Sequence, residues 1–114
     1  MKPAIKVYLT DEENNKIFGD GPYHLLSGVS RTGSLRASAM EMGMAYSKAN
    51  KILKHAENNL CCTLTERQTG GKSGGGSHLT QEGKELLRKY ELYRKRCEQA
   101  NQDIYKEIFC EEPR

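Results

Sequence analysis

The chain has 114 residues, 36% of them hydrophobic, a net charge of +3 and a mean hydropathy of −0.79. That length holds one domain with a protruding element and excludes two full domains, and so small a core favours support from a second copy. No apolar run reaches membrane length, the first 20 residues carry no secretory leader, and a cytoplasmic protein is expected.

Ala4–Leu9 reads as a strand, residues 11–15 as a turn, and Lys16–Phe18 as the returning strand of a hairpin. This pair is expected to extend the sheet formed by the strands at residues 61–67 and 77–79, or a dimer interface. Gly19 to Pro22 breaks the pattern, and helix one is expected over Pro22–Arg31, burying Leu25, Leu26 and Val29. Ser34 caps helix two, Leu35–Met42, and Gly43 stops it. Helix three is expected over Ala45–Asn59, with Tyr46, Ala49, Ile52, Leu53 and Ala56 as its buried stripe. Two short helices joined by a tight glycine turn form a helix-turn-helix.

Cys61–Arg67 reads as a strand and Ser77–Leu79 as its return, joined by a loop with five glycines between Gly70 and Gly76. A helix from Thr80 to Phe109 follows. Its apolar positions, Leu86, Tyr90, Tyr93, Cys97, Ala100, Ile104 and Ile108, step by three or four like a coiled-coil seam. At ~1.5 Å per residue such a helix exceeds the small domain, so its far half calls for a second copy. The expected fold is therefore mainly α with a small β wing. Residues 1–79 would make the strand pair and winged helix-turn-helix, and residues 80–114 the dimerisation helix of the same domain.

The charge distribution points to nucleic acid. Residues 31–78 hold seven Lys or Arg against three Asp or Glu, residues 1–30 are slightly acidic, and residues 79–114 balance. On helix three, Ser47, Lys48, Asn50, Lys51 and Lys54 lie off the buried stripe, where a recognition helix carries base and phosphate donors. Arg31, Thr32 and Ser34 at the start of helix two are placed to meet the DNA backbone. In the wing, Arg67, Gln68, Thr69, Lys72 and Ser73 are placed on phosphate or the minor groove. The glycine loop is not a Walker A motif. That motif needs a glycine where this chain has Glu66, and a helix where it has further glycines.

Catalysis and metals find no constellation. Adjacent Cys61 and Cys62, with His55 and His78 nearby in sequence, lack ligand spacing, so a buried cysteine is read as packing. No cofactor, metal or enzymatic activity is expected.

These residues resemble the DNA-binding domain of the ModE-type molybdate-responsive regulators, which is similar to the winged helix of LysR-type regulators. The likeness rests on Leu25-Leu26 with Arg31-Thr32-Gly33-Ser34-Leu35, on the helix-turn-helix with Tyr46 and Ala49, on Glu66 to Gly76, and on Leu79-Thr80 with Gly83. It implies a homodimer that binds a palindromic double-stranded DNA site, and it adds Tyr46 to the recognition residues. Two departures stand out. Ala45 replaces a capping serine before Tyr46, and Asn50 replaces a tryptophan, which implies a different base preference. The chain as given ends before the family's molybdate-binding domains, so molybdate binding is not expected of it, and a separately encoded effector-sensing protein is a further candidate partner. The alternatives are a winged-helix protein-interaction module and a ligand- or metal-sensing regulator.

Overall fold

Leu9–Thr10 (β1) and Lys16–Phe18 (β2) pair antiparallel around a turn that Asp11 organises. The Asp11 carboxylate accepts from the Asn15 backbone N–H at 2.9 Å and the Asn15 side-chain amide at 3.1 Å, and also from the Glu13 N–H at 2.9 Å, which holds that carboxyl below the usual range. The structure is a computed structural model that describes residues 1–68 and 76–110.

The expected strand over Ala4–Leu9 is corrected to its last residue and Thr10. β2 has three residues, a bulge falls between Leu9 and Thr10, and a helix starts directly after Gly19. Residues before Leu9 therefore have no ladder partner. They are tied elsewhere: the Tyr90 hydroxyl donates to the Val7 carbonyl at 2.8 Å, and Tyr105 donates to the Met1 carbonyl at 3.0 Å. Nor does β1–β2 extend the wing sheet, because the chain has two separate two-stranded sheets among its described residues.

α1 spans Asp20–Thr32 and α2 spans Leu35–Glu41. Their crossing is close. A Cβ on buried Gly28 would lie 2.0 Å from the Ser38 hydroxyl oxygen, and that hydroxyl instead donates to the Leu25 carbonyl at 2.9 Å. Gly43, at φ 66°, takes the left-handed conformation that turns the chain from α2 towards α3, Tyr46–Leu60. α3 buries Ala49, Leu53 and Ala56. Tyr46 and Ile52 pack at the margin of the core rather than inside it.

The strand expected to begin at Cys61 begins four residues later. β3 is Thr65–Gln68 and pairs in register with β4, Gly76–Leu79. Cys61 instead ends α3 in the left-handed conformation, its N–H donating to the Glu57 carbonyl, and Cys62 lies in the turn that follows. Partial burial raises the Cys62 thiol pKa, so the thiol stays protonated and packs.

α4, Gln81–Phe109, is capped by Thr80, whose hydroxyl accepts from the Gly83 N–H at 3.0 Å and donates to the Thr63 carbonyl at 2.6 Å. The core gathers Phe18, Leu25, Leu26, Val29, Leu64 and Tyr90 with the small α2 and α3 residues, and the Phe18 and Tyr90 rings meet edge-on at 5.0 Å. Beyond Tyr90 the helix leaves the core and stretches the molecule to 67 × 31 × 25 Å.

Candidate nucleic-acid interface

Burial of Ala49, Leu53 and Ala56 turns the opposite side of α3 outward. Ser47, Lys48, Asn50, Lys51 and Lys54 are all exposed, as the helical period requires. Ala45 occupies the N-cap position and makes no side-chain hydrogen bond there, in keeping with its departure from serine.

Tyr46 sits half-buried at the first turn and joins three elements. Its hydroxyl accepts from the Arg67 guanidinium of β3 at 3.1 Å, and the Arg36 guanidinium of α2 lies 4.5 Å from its ring centroid. Arg36 lies outside the set of residues expected from the sequence. Its only sequence signal is a cation on the first turn of α2, and stacking on Tyr46 becomes visible only when α2 and α3 are packed.

The base of the wing is locked to α3. One Glu57 carboxylate oxygen accepts from the backbone N–H of Leu64 at 2.7 Å and of Thr65 at 3.3 Å. Glu66 and His78 face each other across the strand pair at 3.8 Å. Gln68 is exposed at the end of β3, while Thr69, Lys72 and Ser73 lie outside the described residues.

The α1–α2 junction is different in kind. Arg31 donates to both carboxylate oxygens of Glu41, at 2.7 and 3.3 Å. Thr32 donates to the Gly28 carbonyl at 2.7 Å, and its oxygen accepts from the Ser34 N–H at 3.2 Å. Ser34 caps α2 by accepting from the Ala37 N–H at 3.0 Å. Three groups read as backbone contacts thus have bonds within the chain. By contrast, among the described residues no carboxylate lies within the 4.0 Å ion-pair distance of Arg36, Lys48, Lys51, Lys54 or Arg67.

The expected dimer seam divides at Tyr90. Tyr90 is 2% exposed in the chain's own core and Leu86 packs beside it, so these two support α4 from within. Past that point Tyr93, Ile104 and Ile108 are 52%, 53% and 59% exposed, Ala100 is exposed and Cys97 half-buried. Among the described residues no helix is long and apolar enough to cross a membrane, and no group of three His, Cys, Asp or Glu side chains could hold a metal ion.

Known proteins resemble this chain in sequence and fold. The chain is similar to the transcriptional regulator ModE of Yersinia pestis, at 34% identity over 88 residues, which is 76% of this chain and 34% of that protein. It is also similar to the molybdenum-pterin-binding protein MopB of Rhodobacter capsulatus, at 38% identity over 66 residues, covering 58% of this chain and 24% of the relative. The chain thus spans about a third of the length of the Yersinia relative and about a quarter of MopB. Among solved structures, ArgP from Mycobacterium tuberculosis superposes with a TM-score of 0.57 at 20% identity, over 75% of this chain and 30% of that one, which supports the winged-helix fold. Residues 23–84, from α1 through the helix-turn-helix and wing to the first turn of α4, match the description "bacterial regulatory helix-turn-helix protein, lysR family". That family is one of regulatory proteins, not enzymes, and this chain belongs to it.

Proposed function

We propose that this protein is a sequence-specific, double-stranded DNA-binding transcriptional regulator that acts as a homodimer on a palindromic or nearly palindromic site. One observation carries the reading. α3 presents Lys48, Lys51 and Lys54 beside Asn50, with no carboxylate in ion-pair reach among the described residues, and the Arg36–Tyr46–Arg67 cluster adjoins its first turn. A surface of uncompensated cations around one helix is the electrostatic counterpart of a phosphate-walled groove.

In this mechanism α3 enters the major groove. Ser47, Asn50 and Lys51 read base edges, and Asn suits adenine because its amide can donate and accept at once. Lys48, Lys54, Arg36 and Arg67 hold phosphates, releasing counterions and giving affinity that falls steeply with salt. Lys72 adds a wing contact on the same reasoning. Tyr46 aligns two of the arginines, so it positions contacts in addition to making its own.

The exposed Tyr93, Ala100, Ile104 and Ile108 form the seam that a second copy would cover, placing two α3 helices about a two-fold axis. Molybdate sensing is not assigned to residues 1–114 in this reading, although the relative from Yersinia pestis and MopB carry regulator and molybdenum-pterin descriptions.

Selection of bound duplexes from a random DNA pool, repeated at low and high salt and with molybdate added, tests the proposal. An enriched palindrome with steep salt dependence and no molybdate effect is expected. Failure to enrich any sequence would leave a protein-interaction role for the same fold. Sedimentation of the paired Ile104→Asp and Ile108→Asp variant should show loss of the dimer with the fold intact, because both side chains are exposed within one chain.

A further inference from the structure

α3 is flanked on both sides by a hairpin, and only one of them is the wing. Tyr46 and Glu57 lie on the edge of α3 that holds β3. Lys48, Lys51, Ile52 and His55 lie on the other edge, three or four residues apart, and face β2 and the start of α1. Between them runs a cleft of about 390 Å³, floored by Ile17, Phe18, Pro22 and Ile52. Its cationic side chains are Lys16, Lys48 and Lys51, with His55 beside them and no carboxylate among the described residues of the lining. The Lys16 ammonium is held 5.0 Å from the ring centroid of Tyr8, so the hairpin presents it from a supported position.

Three like charges from two elements line one cleft with no carboxylate in ion-pair distance among the described residues, so they repel one another, and an anion between them removes that repulsion. The apolar floor carries the lysine stems while the ammonium groups stay at the rim. The cleft is continuous with the exposed face of α3, because Lys48 and Lys51 belong to both. The hairpin also precedes residue 23, where the match to the regulatory family begins.

We propose that the β1–β2 hairpin is a second phosphate-contacting flank, with Lys16 gripping the DNA backbone on the side of α3 opposite the wing. This rests on the DNA-binding reading above. The contact adds affinity without base preference, since phosphate is the same at every step.

The test compares wild-type protein with Lys16→Gln, Lys16→Arg and a charge-matched control, Lys2→Gln, on the selected duplex and on an unrelated one across a salt series. Lys16→Gln should weaken binding to both duplexes about five- to tenfold near ~0.1 M salt and flatten the log–log salt slope by about 0.9. Lys16→Arg should restore both, and Lys2→Gln should leave the slope unchanged. Phosphate ethylation interference should lose one sensitive position on the flank away from the wing in Lys16→Gln alone. Binding by the wild type with an unchanged slope in Lys16→Gln overturns the second flank and leaves the regulator reading standing, as does an equal loss in Lys2→Gln. No salt-dependent binding of the wild type to any duplex overturns the regulator reading and the flank with it.

Discussion

The exposed face of α3 and the α1–α2 junction carry similar side chains, and the fold puts them to different uses. Both carry cations and hydroxyls, and both read as DNA contacts in sequence. At the junction Arg31 meets Glu41, Thr32 bridges Gly28 and Ser34, and Ser34 caps α2. On α3 the lysines meet no carboxylate in ion-pair reach among the described residues. A polar group already bonded within the chain must give up a partner to meet DNA, whereas an unpaired one surrenders only water. The free energy of binding should therefore concentrate on α3, and the junction should act mainly through stability.

Removing charge from the α3 face should have the largest effect. Lys48→Gln, Lys51→Gln and Lys54→Gln together should lower DNA affinity by about two to three orders of magnitude near ~0.1 M salt, with thermal unfolding little changed. Titration of a labelled duplex alongside a melting curve checks both halves, and a lowered melting temperature would erase the contrast. Gly28→Ala tests the other region. The new Cβ has no room against Ser38, so destabilisation of about 1–3 kcal/mol is expected, read by urea unfolding. Ser34→Ala removes the cap of α2 and should cost about 1 kcal/mol while leaving the salt slope of DNA binding unaltered.

The smallest effect sharpens the comparison most. Glu41→Gln releases Arg31 and should raise DNA affinity a few-fold, since the pair is exposed and screened. The pH dependence has the same logic. A hydrogen bond from Arg31 holds the Glu41 carboxyl below its ordinary range, so the pair persists at neutral and mildly acidic pH. Whatever stability it gives is present above the unfolded-state pKa and lost as pH falls through the lowered folded value. Gain of affinity in Glu41→Gln, measured at neutral pH, would place Arg31 within reach of the DNA. No change would leave it a purely structural residue.

Much of the fold was legible because its signals are local. The Ser34 cap, Gly43 turn, Ala49–Leu53–Ala56 stripe and Thr80 cap each depend on residues within a few positions, and each element formed within a few residues of its expected span. The strand expected at Ala4 failed for a non-local reason. β-propensity there was sound, but strand pairing needs a partner, and β2 is too short to supply one.

The composition and order of residues by themselves determined the helix-turn-helix, the wing strands, the long last helix and the cationic bias of residues 31–78, since periodicity and capping act along the chain. Only the tertiary structure decided which polar groups are already bonded. Packing brings Glu41 to Arg31 across ten positions and Tyr46 to Arg67 across twenty-one, and it carries Tyr90 into the core while Tyr93 stays outside. It also sets Lys16 across a cleft from Lys48 and Lys51. Those outcomes depend on how helices cross and strands pair, and no local pattern encodes a distance between residues so far apart in the chain.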